Sequence, residues 1–233
     1  MLFARRSPLA PQRNVAERRI LGRGALTVLR EFERGDVDRW IAWPRHEDLL
    51  FESYNPPALT QRQRDIYYQQ RRTSAETRQY SVDDLNGELV GRISLRDIDW
   101  RLGAAVLGVS FRPGRLNQGL GTDALRTFLD YYFGPLNMST LFLDVAAFNT
   151  RAYRVYEKCG FRKCGQRWGE PQTDLPGIFR KPEYEGIRHL FMWEYGLMRP
   201  LLYDMVLRRA EWQRRRDEQR TPVLASSHRD DRS

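Results

Sequence analysis

RLNQGLGTDAL, residues 115–125, sets two glycines, Gly119 and Gly121, either side of a single residue in a polar turn. It follows a short, apolar, partly β-branched run, Ala105 to Phe111 (AVLGVSF), which reads as a buried strand broken by Pro113 and Gly114. Beyond Thr122, the residues Leu125, Phe128, Leu129 and Tyr132 recur at helical spacing, so Gly119 and Gly121 stand between a strand and the first turn of a helix. The first N–H groups of a helix lack intrahelical partners, that end of the dipole is positive, and a backbone without Cβ atoms lets an anion come close. The segment is therefore a candidate phosphate site. It lacks the Gly-Lys-Ser/Thr ending of a P-loop, and Ala124 stands where G-x-G-x-x-G has its third glycine, a replacement that some dinucleotide sites accept. A purely structural Gly-rich turn is the competing reading.

A second stretch, FNTRAYRVYEKCGF at 148–161, narrows the choice. Leu141 to Val145 (LFLDV) is another strand candidate, Asn149-Thr150 caps a helix from Arg151 to Cys159, and Gly160 stops it. Ala152, Val155 and Tyr156 share one face of that helix, and Phe161 opens the next strand. This order of motifs resembles the GNAT superfamily of acetyl-CoA-dependent N-acetyltransferases, in the branch that acetylates ribosomal-protein N-termini, polyamines and some antibiotics. Leu26 to Phe32 followed by Asp36 to Trp43 is similar to that branch's first strand and helix, and the likeness extends over residues 24–168.

The resemblance implies an α/β (α+β) GNAT fold. Its central sheet would be mixed but mostly antiparallel, with about six or seven strands flanked by helices and a splay between two parallel central strands. It implies acetyl-CoA as cosubstrate, held by Leu116, Asn117, Gln118, Gly119, Leu120, Gly121, Thr122 and Asn149, with the pantetheine arm pairing along Val109 to Phe111. The family loop is Gln/Arg-x-x-Gly-x-Gly/Ala, so Leu116 replaces a polar side chain, and Arg115 or Gln118 is the expected substitute donor. Asn117 stands where Gly is common and tolerates a left-handed backbone. Tyr156, seven residues after Asn149, is the expected proton donor to the leaving thiolate, with a core tyrosine as the plain alternative. Asp144, twelve residues before Tyr156, matches the position of a family general base, directly or through a water; Asp97, Asp99 and Glu194 are the other carboxylate candidates. The histidines, His46, His189 and His228, fall outside both motifs and support neither a histidine base nor a metal site.

The 233 residues, 41% of them hydrophobic, suffice for one substantial core. Of the net charge of +9, residues 1–24 carry +5 and 208–233 carry +3, so the body between them is almost neutral. Solvated tails are the plain reading of these arginines, and an RNA or ribosome contact is the sharper one. The expected organisation is a basic arm at 1–22, an acetyltransferase domain at 23–208 and a polar, Arg-rich tail at 209–233. Within the domain, 169–200 is a long variable segment before a closing strand at Tyr203 to Arg208. Gln61 to Arg72 reads as a further helix, and Arg78 to Val82 with Glu88 to Leu95 as a hairpin around Asn86-Gly87. No apolar run reaches the length of a membrane span and no signal-like segment opens the chain, so a cytoplasmic protein without a membrane partner is expected. Cys159 and Cys164 have no companion ligands nearby, against a disulfide or metal pair.

The activity so implied is direct acetyl transfer to a primary amine of a protein N-terminus or a small molecule, by a monomer or homodimer. A non-catalytic acyl-CoA sensor or partner-binding module is the alternative.

Overall fold

The computed structural model describes residues 19–171 and 178–220. In chain order the elements are β1 (Ile20–Arg23), β2 (Thr27–Glu31), α1 (Arg34–Ile41), a 3-10 turn at Leu49–Tyr54, α2 (Gln61–Thr73), β3 (Arg78–Asp84), β4 (Leu89–Asp99) and β5 (Ala104–Phe111). They continue with α3 (Leu120–Phe133), β6 (Thr140–Ala146), α4 (Thr150–Cys159), β7 (Arg162–Trp168), two 3-10 segments at Ile178–Arg180 and Pro182–Leu190, β8 (Phe191–Glu194), β9 (Leu197–Arg208) and α5 (Arg209–Arg220). The strands run β1-β2-β3-β4-β5-β6-β9-β7, and β8 pairs with the start of β9. Every pairing is antiparallel except β5 with β6.

Among the described residues the sheet has nine strands, not six or seven. One addition, β1, removes Ile20 to Gly22 from the expected arm and returns through a Gly24 turn to β2; the rest of the arm, 1–18, lies outside the described residues. The other, β8, is four residues long and hidden among the prolines and aromatics of 169–200. Its partner β9 begins at Leu197, six residues before the expected closing strand.

Side-chain alternation builds the two layers. On β2 and β3, Leu29, Tyr80 and Val82 point into the main core with Leu125, Phe128 and Leu129 of α3. The intervening Arg30, Ser81 and Asp83 point to the opposite face, under α1, where a buried ionic network lies beside a smaller hydrophobic cluster of Val37, Trp40, Trp43 and Leu89. Arg30 donates to Asp36 at 2.7 and 2.8 Å and to Asp83 at 2.6 and 2.8 Å, and Ser81 donates to Asp36 at 2.6 Å. Burial alone would raise the Asp36 pKa, but the Arg30 guanidinium overrides it and holds the carboxyl below its ordinary value.

Two expectations change at the C-terminal side. Residues 209–220 are not a free polar tail: Trp212 of α5 is buried in the main core, and Arg209 donates to Met138 O at 2.7 Å. The remainder of the expected tail, 221–233, lies outside the described residues. In the variable segment, Ile178, Phe191 and Met198 form a second cluster with Leu50, joined by Phe51, Phe148 and Tyr184. The Tyr184 hydroxyl donates to Asp48 at 2.8 Å, and this pins the 3-10 turn beside the start of α4. No helix among the described residues is long and apolar enough to cross a membrane.

Candidate active site

β5 and β6 pair only from Ala104 to Val106 and from Thr140 to Phe142. Beyond that they part, while β5 stays bonded to β4 as far as Phe111. The outer edge of Leu107 to Phe111 is thereby free, and it opens on a cavity of about 660 Å³. The two foremost catalytic candidates and the ten expected cofactor-binding residues line this cavity: Tyr156 and Asp144, Val109 and Phe111, Leu116 to Thr122, and Asn149.

At one end lies the glycine turn. Asn117 (φ +61°) and Gly119 (φ +80°) are left-handed, and Gly119 is the N-cap of α3. Gly119 O accepts the N–H groups of Thr122 and Asp123, whereas the N–H groups of Asn117 to Gly121 have no acceptor among the described residues. Such a row fits a pyrophosphate. Asp123 turns away from it: its carboxylate takes the N–H groups of Ala25 at 2.9 Å and Leu26 at 3.0 Å and the Thr27 hydroxyl at 2.7 Å, tying α3 to the β1–β2 turn.

The expected substitute for Leu116 is not free. Arg115 is held by Glu88 at 2.8 Å and Asp84 at 2.9 Å from the β3–β4 hairpin, and its Nε donates to Gln118 Oε1 at 3.1 Å. Two carboxylates outcompete a solvent-facing position for that guanidinium. Uncommitted charge comes instead from α4, whose Arg151, Arg154 and Lys158 line the cavity and make no hydrogen bond or ion pair with another described residue. Their spacing of three and four residues was visible in the sequence as one helical stripe.

At the other end Tyr156 is 8% exposed, its ring edge-on to Phe161. Burial first, then the neighbouring Tyr54 and Asp144, push its phenol well above the ordinary tyrosine value, so it stays protonated through neutral pH. The Asn149 side chain caps α4 at Ala152 N, 3.2 Å away, and faces the Tyr54 phenol. Asp144 is engaged on Oδ2 by Arg96 at 2.6 Å and Arg167 at 3.3 Å.

Sequence reasoning missed the wall opposite. His46, Phe51, Tyr54 and Arg96 also line the cavity. His46 lies outside both motifs in the sequence, yet its ring sits 5.6 Å from that of Phe51 in the 3-10 turn, which packs against Ile178 and Phe191, and it lines the cavity. The other carboxylate candidates lie outside the lining: Asp97 pairs with Arg96, Asp99 accepts the Arg101 and Leu102 N–H groups, and Glu194 pairs with Arg199. Among the described residues no cluster suited to a metal ion is found, and both cysteines are free thiols.

The model of the Acetyltransferase (GNAT) domain family matches residues 27–162, more than half of the chain. The chain belongs to this GNAT family. It is an N-acetyltransferase that uses acetyl-CoA to acylate an amine. The spermidine N(1)-acetyltransferase of Vibrio cholerae is 26% identical over 165 residues, 71% of this chain and 91% of that protein. The enzyme of the same name from Escherichia coli K12 is 30% identical over 102 residues, 44% of this chain and 54% of that one. The crystal structure of Vibrio cholerae spermidine N-acetyltransferase in complex with CoA and spermine superposes with a TM-score of 0.62 at 20% identity, covering 80% of this chain and 98% of that chain, and so shares the fold. The GNAT site of this chain fits the cosubstrate on its own evidence: a free strand edge, a row of unpartnered N–H groups and a stripe of uncommitted cations meet in one cavity.

Proposed function

We propose that this acetyltransferase acts on a primary amine of a small molecule, which attacks the acetyl thioester directly. The observation that carries the reading is that Tyr156, Asp144 and the free edge of β5 meet where β5 and β6 part, at the far end of a cavity that begins at the glycine turn. When bound, acetyl-CoA supplies the activated acetyl group and the thiolate that leaves.

The protein's part follows from its own groups. The Asn117 to Gly121 N–H row, with Arg154 and Lys158, holds phosphates. Val109 to Phe111 pair with an extended arm as an added strand would, and a backbone N–H there stabilises charge building on the acetyl oxygen. Tyr156 Oη donates a proton to the departing sulfur. Both arginine contacts of Asp144 fall on Oδ2, so Oδ1 is assigned the proton given up by the amine, directly or through a water. A cysteine acyl intermediate has no support, because neither cysteine lines the cavity and burial pushes the Cys159 thiol up to about 11. The relatives favour a small-molecule acceptor over a protein N-terminus, since those named act on spermidine.

Release of free thiol from acetyl-CoA in the presence of a panel of primary amines tests the proposal. The expected result is amine-dependent release. Acetyl-CoA binding without release for any amine would make the chain a sensor instead.

A further inference from the structure

The acceptor end of the cavity differs from what a polycation needs. Asp144 is the only carboxylate among the described lining residues of the whole cavity; of the lining cations, Arg115, Arg154 and Lys158 belong to the glycine-turn end, which leaves Arg96 beside Asp144 and Arg151 beside Phe51. Asp144 itself belongs to an alternating chain across four strands, Asp97–Arg96–Asp144–Arg167–Asp204, in which every carboxylate has a guanidinium beside it. Of the acids of the aromatic segment, Glu47 is exposed and outside the lining, and the other two are engaged. Glu52 pairs with Arg45 and accepts from Asn55 at 3.1 Å, and Asp48 accepts the Leu50 N–H at 2.9 Å and the Tyr184 hydroxyl at 2.8 Å.

What the segment presents is a row of rings. Phe51 lies 5.6 Å from His46 and 5.8 Å from Tyr54, and the Arg151 guanidinium already stands over its ring at 5.6 Å, where a ligand ammonium would meet a like charge. The His46 imidazole is held below its ordinary pKa by burial and then by Arg151, against the opposing pull of Asp48 and Glu52, so it adds no charge at neutral pH.

We infer that the acceptor carries a single ammonium on an uncharged, ring-bearing body, and that the chain discriminates against polyamines. This rests on the proposed function. Asp144 receives the reacting amine, and a second or third ammonium would meet Arg96 and Arg151 with no further carboxylate among the described lining residues to offset them. The rings supply apolar surface for the remainder of the molecule.

The test is steady-state thiol release with acetyl-CoA and, in parallel, 2-phenylethylamine, spermidine and spermine. The expected kcat/KM for 2-phenylethylamine exceeds that for either polyamine by at least about tenfold. Arg96→Gln, which removes a cation and frees Asp97, should narrow that ratio by about tenfold. Spermidine or spermine turned over as well as or better than 2-phenylethylamine overturns the inference and leaves the acetyltransferase reading standing. No release with any amine, while calorimetry shows acetyl-CoA bound, overturns both.

Discussion

Leu116 stands where the family loop has a polar side chain, and neither neighbour within the turn takes over its contact. Arg115 stays with Asp84 and Glu88, and Gln118 turns its amide toward Gly114 O at 3.5 Å. Leu116→Arg should therefore add a charge-assisted contact to the phosphates and tighten acetyl-CoA about tenfold, read by calorimetry; an unchanged Kd would show that the backbone row already saturates that end. Most individual residues of the site were legible because the two motifs fix a register. Asn117 was expected to accept a left-handed backbone and has φ +61°. The fate of Arg115 was not legible, because its carboxylate partners stand 27 and 31 residues away and nothing local favours them.

At the scale of elements, α3 presents its first turn to the cavity because Asp123 clamps it to the β1–β2 turn with three hydrogen bonds. Asp123→Ala removes that clamp and should cost about 1–3 kcal/mol of stability. It should also weaken acetyl-CoA without lowering kcat at saturation, a split visible in a KM series. Equal loss in kcat would place Asp123 in the chemistry instead. The hairpin, α2, α3 and α4 were readable from turn signals, caps and periodicity, since local sequence decides them. The 3-10 turn at Leu49–Tyr54 was not. Tyr54 and His46 reach the cavity through a cluster that joins Leu50 to Ile178, Phe191 and Met198, and through the Tyr184–Asp48 bond over 136 residues. Aromatics scattered through a Pro- and Gly-rich stretch carry no period that announces such a contact.

Across the whole molecule the sheet is held on one face by the main hydrocarbon core and on the other by a smaller cluster around Val37, Trp40 and Leu89 together with the Arg30, Asp36 and Asp83 network. Asp36→Asn leaves Arg30 buried with one partner fewer and should destabilise the fold by about 3–5 kcal/mol in denaturant titrations. The Asp36 pKa lies below its unfolded value, so its stabilisation is present in full above about pH 4 and is lost as pH falls through the folded value. Acid unfolding of the wild type should thus show a stability decline below pH 4 that Asp36→Asn lacks. Binary patterning misses this layer, because Ser81 and Asp83 alternate with Tyr80 and Val82 as an exposed face would, and α1 covers them only in three dimensions. Trp212 escaped for the converse reason: a single apolar residue in an Arg-rich helix gives no amphipathic signal, yet it is 7% exposed in the main core.

The central claim is that the cavity performs acetyl transfer with Tyr156 protonating the leaving thiolate. The direct measurement is Tyr156→Phe, compared with wild type by saturating thiol release and by acetyl-CoA calorimetry on the same preparation. With the phenol gone, kcat should fall by about 100-fold or more while Kd for acetyl-CoA stays within about twofold of wild type. An unchanged kcat would contradict that role for Tyr156.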